Sequence, residues 1–500
     1  MKKTHPWASI SLSLMAVFAA FAPASAQRNC GSTAYAEAMM ARFPEIAERQ
    51  RAAAAHRGHA HAAQAEFAAA SIVTIPVVVH VVFNGAAQNV TDEQIYSQLE
   101  VLNEDFRLLN TDVTGTPTAF QSAVADVQIQ FCLASIDPDG NATSGITRTA
   151  TAHGPFDNNA ADDVKSTADG GTDPWPNDEY LNMWVCNLSG GLLGYSSFPG
   201  WPADRDGVVI DFAFFGYQGS ASSPFDLGRT ATHEVGHFLG LRHIWGDATC
   251  GDDGIADTPT HEDANGGCPA FPRVTSCGNS PNGEMFMNYM DYTDDRCMFM
   301  FTNDQKGVMT ALFGAGGLRQ NLGSSGACGG ACPRARFFTD DFVGGIADFE
   351  AADVIVGWNK ITAGANITYH AGDSVRLKPG FHAQAGNDFR AYIAGCAGPR
   401  PAAEMRQEQV APAAEGLICQ PNPFGERLDI RYHLESETQV TIQVVNAAGT
   451  VARTLQNQVL APAGDHAVSL ESAGLPDGIY FVRLAAANGQ RAVKKVVLMR

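Results

Sequence analysis

The sequence predicts an α+β domain, a mixed twisted sheet packed on helices with a loop-rich lower half, followed by all-β modules. Three observations predict it. The run Ile72–Phe83 is apolar and β-branched throughout and leads into an amphipathic helical segment. Further strand patterns precede a helix that carries several histidines. Strict apolar alternation takes over near the C-terminus. A chain of 500 residues suggests about three domains.

The elements follow in order. Lys2 and Lys3, an apolar stretch from Leu12 to Phe21, and Ala24-Ser25-Ala26 before Gln27 mark residues 1–26 as a secretory signal. That stretch is too short to span a bilayer, and no later segment offers the ~20 apolar residues a spanning helix needs. Residues 27–72 are alanine-rich and helix-prone but lack the large apolar side chains of a core; this segment is expected to be a propeptide. Within it His56, His59 and His61 read as a histidine-rich linker to be cut away.

Ile72–Phe83 reads as a buried strand, with His80 in the core. Thr91-Asp92-Glu93-Gln94 is a capping box, and Ile95, Leu99, Leu102 and Phe106 follow at helical spacing. Val127–Leu133, Tyr180–Asn187 and Gly207–Phe215 are predicted strands, and Gly228–Leu239 the histidine helix. Regular patterning fades from Gly246 to Asn321, where Phe301–Leu322 is the predicted closing helix. Residues 333–400 set short apolar segments between glycines, the pattern of a small stacked-β module. Residues 416–500 alternate through Leu428, Ile430, Tyr432 and Leu434, then Val440, Ile442 and Val444, predicting a β-sandwich.

Acidic residues number 53 against 33 basic ones, a formal net charge of −20, which argues against nucleic acid or an anionic membrane as partner. Eleven cysteines in an exported chain imply disulfides and at least one leftover thiol. Cys250, Cys268, Cys277 and Cys297 fall together in the loop-rich part, where three pairings are open. Nearby, Asp252-Asp253-Gly254-Ile255-Ala256-Asp257-Thr258 gathers hard oxygen donors in a turn, and Asp253, Asp257 and Thr258 are candidate calcium ligands.

The segment His233-Glu234-Val235-Gly236-His237-Phe238-Leu239-Gly240-Leu241-Arg242-His243 fits H-E-x-x-H-x-x-G-x-x-H. His233 and His237 lie one turn apart on a helix and point from one face. Gly240 permits the turn that brings His243 back as a third imidazole. Three such ligands leave a fourth position open, as catalytic zinc requires, and Glu234 stands beside the first ligand to take a proton from water.

Downstream, Met287-Asn288-Tyr289-Met290-Asp291-Tyr292 puts a methionine in a compact polar-aromatic segment. Together these motifs, with Asp257-Thr258-Pro259, Cys297 and Met300-Phe301-Thr302, resemble the pappalysin family of metzincin zinc endopeptidases over roughly residues 73–325. The resemblance implies a metzincin-like catalytic domain with Met290 as its Met-turn and Tyr292 near the zinc as an oxyanion donor. It implies that Cys30, in Arg28-Asn29-Cys30-Gly31, supplies a thiolate to zinc in the latent form, and that Cys250 pairs with Cys277 and Cys268 with Cys297. It also implies that Gly191–Ser197 borders the cleft and that Asp295 favours Arg or Lys on the primed side, unless neighbouring Arg296 neutralises it. Gln420-Pro421-Asn422-Pro423-Phe424, Gly478-Ile479-Tyr480 and the Lys494-Lys495 ending are similar to the C-terminal sorting domain of type IX secretion.

The expectation is therefore a secreted or cell-surface zinc endopeptidase, monomeric, acting on proteins and peptides and exported with the type IX machinery. The alternative is a surface adhesin or matrix-binding protein carried by the last two modules.

Overall fold

The computed structural model describes residues 28–49, 72–396 except 331, and 417–498 apart from 422–423, 435, 437, 447–450, 477 and 487–490. The expected signal segment, His56, His59 and His61 lie outside the described residues. The chain divides into two compact units, residues 1–398 and 399–500.

The first unit opens with α1 (Ser32–Arg42) and is built on β1 (Val73–Phe83). Successive β1 side chains alternate between faces, and both faces are covered: Val73, Ile75, Val77, Val79 and Val81 enter the main core, whereas Val82 enters a second one. One edge of β1 pairs in parallel with β2 (Ile129–Leu133) and then β3 (Ile146–Ala150). The other edge pairs with β4 (Leu181–Cys186), which pairs in turn with β6 (Val208–Asp211). β5 (Gly194–Ser196) closes the sheet as its antiparallel edge strand. The sheet is thus mixed. β3 escapes the sequence pattern because Ile146–Ala150 is only half-buried and lacks an apolar face. The predicted strand Gly207–Phe215 stops at Asp211, whose carboxylate accepts from Ala213 N and Leu188 N and turns the chain.

Helix α2 (Asp92–Phe106) packs beneath the sheet with Ile95, Leu99, Leu102 and Phe106 in the core. Thr91 caps it by accepting from Gln94 N at 3.2 Å. The return half of the expected capping box does not form, because the Gln94 amide donates to Phe212 O and Phe215 O instead. A full box forms at Thr302 and Gln305, which open α4 (Asn303–Ala311). The expected closing helix runs no further than Ala311; Gly314, Gly316 and Gly317 follow, Gly316 with φ +77°. Between these lies α3 (Arg229–Phe238), the histidine helix.

The stacked-β region is a parallel solenoid. β7 (Ala335–Phe338), β9 (Val354–Gly357) and β11 (Ser374–Leu377) form one wall. β8 (Ile346–Ala351), β10 (Asn366–Ala371) and β12 (Asp388–Ile393) form another. Ile355, Ile361, Ile367 and Tyr369 fill the interior, and Cys332–Cys396 ties first coil to last. The solenoid is braced on α2: buried Glu100 accepts from Arg376 Nη1 at 2.6 Å and pairs with Lys378 Nζ at 2.8 Å, while Trp358 Nε1 donates to Glu104.

The second unit is all-β. Two antiparallel sheets, one of three strands and one of four, enclose Leu428, Ile430, Tyr432, Leu434, Val440, Ile442, Val444, Val482 and Leu484. Among the described residues no helix is long and apolar enough to cross a membrane.

Candidate active site

Helix α3 is buried along its whole length, so His233, Glu234 and His237 sit in the protein interior. Its start is fixed by Gly228, whose positive φ of +78° an L side chain resists, and by the carboxylate of Asp295, which accepts from Leu227 N and Arg229 N. Gly240, φ +89°, ends the helix and lets His243 return. Cys30 Sγ and one ring nitrogen each of His233, His237 and His243 lie within 4.8 Å of one another.

The tautomers are set from behind. His233 Nδ1 meets Tyr289 O at 2.7 Å, His237 Nδ1 meets Leu241 O at 2.9 Å, and His243 Nδ1 meets the Asp247 carboxylate at 2.6 Å. Each δ nitrogen therefore donates, and each ε nitrogen keeps its lone pair for the shared centre. His233 Nε2 is buried without a hydrogen-bond partner. Burial and the neighbouring rings hold His233 well below the usual imidazole range and push His237 down to about 3. Three imidazoles and a thiol converging on one buried point, with an orphaned nitrogen, are a donor set suited to zinc. Trp245 stacks on the outer face of His243, ring centroids 4.4 Å apart.

Met290 Sδ lies 2.5 Å from where a Cβ at Gly236 would stand, so the methionine fills the space directly under the helix. The Glu234 carboxylate is buried, which raises it to about 7; Ser32 Oγ donates to its Oε2 at 2.8 Å, and Cys30 Sγ lies 3.5 Å from the same oxygen. Tyr292 reaches from the Met290 segment, its hydroxyl donating to Cys30 O at 3.3 Å and standing 3.3 Å from His243 Nε2.

The N-terminal segment lies along β5. Leu193 N donates to Asn29 O, Gly31 N donates to Gly194 O, and Ser32 Oγ accepts from Ser196 N. Arg28 runs deeper, 2% exposed, with its guanidinium 2.5 Å from Asp295 Oδ1, donating also to Thr230 Oγ1 and standing over the Phe225 ring. Arg296, the alternative partner of Asp295, is exposed and faces Asp294 at 3.6 Å.

Disulfides join Cys250 to Cys277 and Cys268 to Cys297 around this lower half, and Cys132 to Cys328; Cys30, Cys186 and Cys419 are free. The candidate calcium residues are not gathered at one point. Asp253 Oδ1 accepts from Thr258 Oγ1 at 2.7 Å and from Ile255 N. Asp257 is turned away, its two oxygens accepting from Thr302 Oγ1 and Asp304 N at the start of α4.

Sequence reasoning missed Asp247, Ser32 and Arg28. Asp247 stands four residues past His243 at φ +57°, a spacing that imitates a helical pair where no helix exists.

Residues 165–313 match the family profile described as pregnancy-associated plasma protein-A, and residues 420–499 match the secretion system C-terminal sorting domain. An extracellular metalloprotease of Pyricularia oryzae is 33% identical over 257 residues, 49% of this chain and 76% of that protein. An extracellular metalloprotease of Arthroderma benhamiae is 29% identical over 303 residues, 59% of this chain and 93% of that one. Among solved structures, a mutant of promirolysin from Tannerella forsythia is 46% identical, covers 59% of this chain and 97% of its own, and superposes with a TM-score of 0.54.

Proposed function

This chain belongs to the pappalysin family of metzincin metalloproteases, a secreted metalloendopeptidase with a type IX sorting domain, and from that premise we propose how its residues do the work. His233, His237 and His243 hold a catalytic zinc ion, and Glu234 is the general base of peptide-bond hydrolysis. The observation that carries this reading is the convergence of three Nε2 lone pairs, each fixed by a hydrogen bond on its far side. Zinc, when bound, supplies Lewis acidity that polarises a carbonyl and makes water acidic near neutral pH. Glu234 takes the proton of the attacking water and passes it to the departing amine. Tyr292 steadies the oxyanion; its hydroxyl already donates to a carbonyl, Cys30 O, of the segment lying over the site.

Residues 27–72 are a prosegment that keeps the chain latent. Cys30 would be a fourth holder of the zinc in the latent form, and Ser32 occupies the Glu234 oxygen that the attacking water needs. Arg28 fills the pocket beyond the scissile bond as a primed-side Arg or Lys of a substrate would, with Asp295 as its counter-charge. At the 252–258 turn Asp253, whose Oδ2 is buried without a partner, would be the calcium donor; Asp257, engaged at the start of α4, does not fit that site as it stands.

The experiment is metal stoichiometry with cleavage mapping on a peptide library, using chain freed of its prosegment. One chelatable zinc per chain, cleavage lost on its removal and restored on its return, and Arg or Lys after the cleaved bond support the reading. Chelator-resistant cleavage removes the zinc mechanism, and bulky apolar residues at that position remove the role of Asp295.

A further inference from the structure

The prosegment makes one contact that latency does not require. Tyr35, fully buried, inserts its ring between Tyr195 and Trp201, at centroid distances of 4.9 and 4.8 Å. Its hydroxyl donates to Asp162 Oδ2 and lies 3.4 Å from Lys165 Nζ. We propose that this socket, once the prosegment is cut away, is an accessory site for a phenolic side chain of the protein substrate. The inference rests on reading residues 27–72 as the removable prosegment of a protease.

The socket is held by the body of the enzyme and not by its occupant. Asp162 Oδ1 accepts from Tyr195 OH at 2.7 Å. Lys165 Nζ pairs with Asp162 Oδ2 at 3.1 Å, donates to Arg205 O at 2.9 Å, and lies over the Trp184 and Tyr195 rings. None of these contacts involves Tyr35.

The socket is also an unfavourable way to anchor a helix. The side chains of Asp162 and Lys165 are 0% exposed, and a buried ion pair is commonly no more stabilising than apolar side chains of the same volume. Asp162 sits at φ +56°, a left-handed conformation that a non-glycine residue adopts at a cost. Met39 and Ile46 already supply buried apolar anchors. What the charged pair adds is chemical selectivity: an acceptor and a donor meet at the one point a phenol oxygen reaches. Phenylalanine fills the ring space but adds neither the donor that Asp162 Oδ2 accepts nor the acceptor that Lys165 Nζ faces.

The position suits a substrate. Tyr195 belongs to β5, the edge along which residues 29–32 run, next to Gly194, which bridges to Cys30. Four residues, mostly helical, lie between Cys30 and Tyr35, roughly 10 Å of chain. An extended substrate covers that in about three to four residues. The prosegment shows the route, along β5 and over the edge onto the face covered by Trp184 and Val209.

The test uses the full-length chain after proteolytic removal of the residues before about Ile72. Short peptides reaching only two residues either side of the cleaved bond are compared with long peptides carrying Tyr, Phe or Ala at successive outer positions. At one outer position kcat/KM for Tyr should exceed that for Ala by about tenfold, with Phe between, as a discriminating hydrogen bond and ring burial predict. In Lys165→Met and in Trp201→Ala the preference should fall below about twofold, with short peptides cleaved at the parent rate. Absence of any outer Tyr preference in the parent, or its survival in both variants, overturns the socket while leaving the protease reading intact. Failure to cleave the short peptides at all overturns both.

Discussion

Arg28 and Asp295, 267 residues apart, meet as a buried ion pair at 2.5 Å. The pair joins the N-terminal segment to the wall that also fixes the start of α3, because Asp295 Oδ2 accepts from Leu227 N and Arg229 N. One carboxylate thus braces the histidine helix and grips the segment lying across it.

Removing one partner of a buried pair costs about 3–5 kcal/mol, because the other charge is left uncompensated. Arg28→Ala should therefore loosen the prosegment. The unprocessed full-length variant is expected to cleave a fluorogenic peptide at a rate measurable above the latent parent. Unchanged latency removes Arg28 from the latch.

Tyr292→Phe deletes only the hydroxyl facing His243 and the overlying carbonyl. A kcat loss on the order of 10²-fold is expected, with KM and zinc content near the parent values. Steady-state kinetics with metal analysis checks this, and parent-like kcat excludes the phenol from catalysis.

Met290 is fully buried against Gly236, so Met290→Ala should leave a cavity under α3 and destabilise the fold by roughly 2–5 kcal/mol, whereas Met290→Leu should cost less than about 1.5 kcal/mol. Denaturant unfolding measures both. Equal, small effects show that the methionine does not support the helix by packing.

His80 gives a pH dependence. It is buried, with Nε2 at 3.0 Å from Asn182 Oδ1 and Nδ1 at 2.8 Å from Thr147 Oγ1, and burial pushes it down from 6.5 to about 4. The neutral ring is the folded form, so its contribution is whole above pH 6.5 and is lost as pH falls toward about 4. The loss amounts to about 3 kcal/mol at 1.36 kcal/mol per pH unit. Stability measured from pH 7 to 4 should fall less steeply in His80→Gln than in the parent; identical slopes place the acid sensitivity elsewhere.

What the sequence disclosed was local. The zinc-ligand spacing and the Met290 segment are short motifs, and the β-branched run of β1 announces a strand buried on both faces. The strand alternation of residues 427–434 is equally plain. What it hid depends on distance. No periodicity joins Arg28 to Asp295 or Tyr35 to Asp162, and the coils of the solenoid repeat through unlike residues, Val354 beside Ala335 and Ser374. Asp247 supports His243 from a loop, where spacing carries no geometric meaning. Asp257, read as a metal donor, instead accepts from Asp304 N at the start of α4, 47 residues on, a partner that no local spacing announces.

The most direct test of the account is Glu234→Ala in chain freed of its prosegment, with zinc content and peptide cleavage measured on the same sample. The account predicts one zinc per chain, since the three imidazoles are untouched, and cleavage reduced by roughly 10²–10⁴-fold. Full zinc with undiminished cleavage would contradict it.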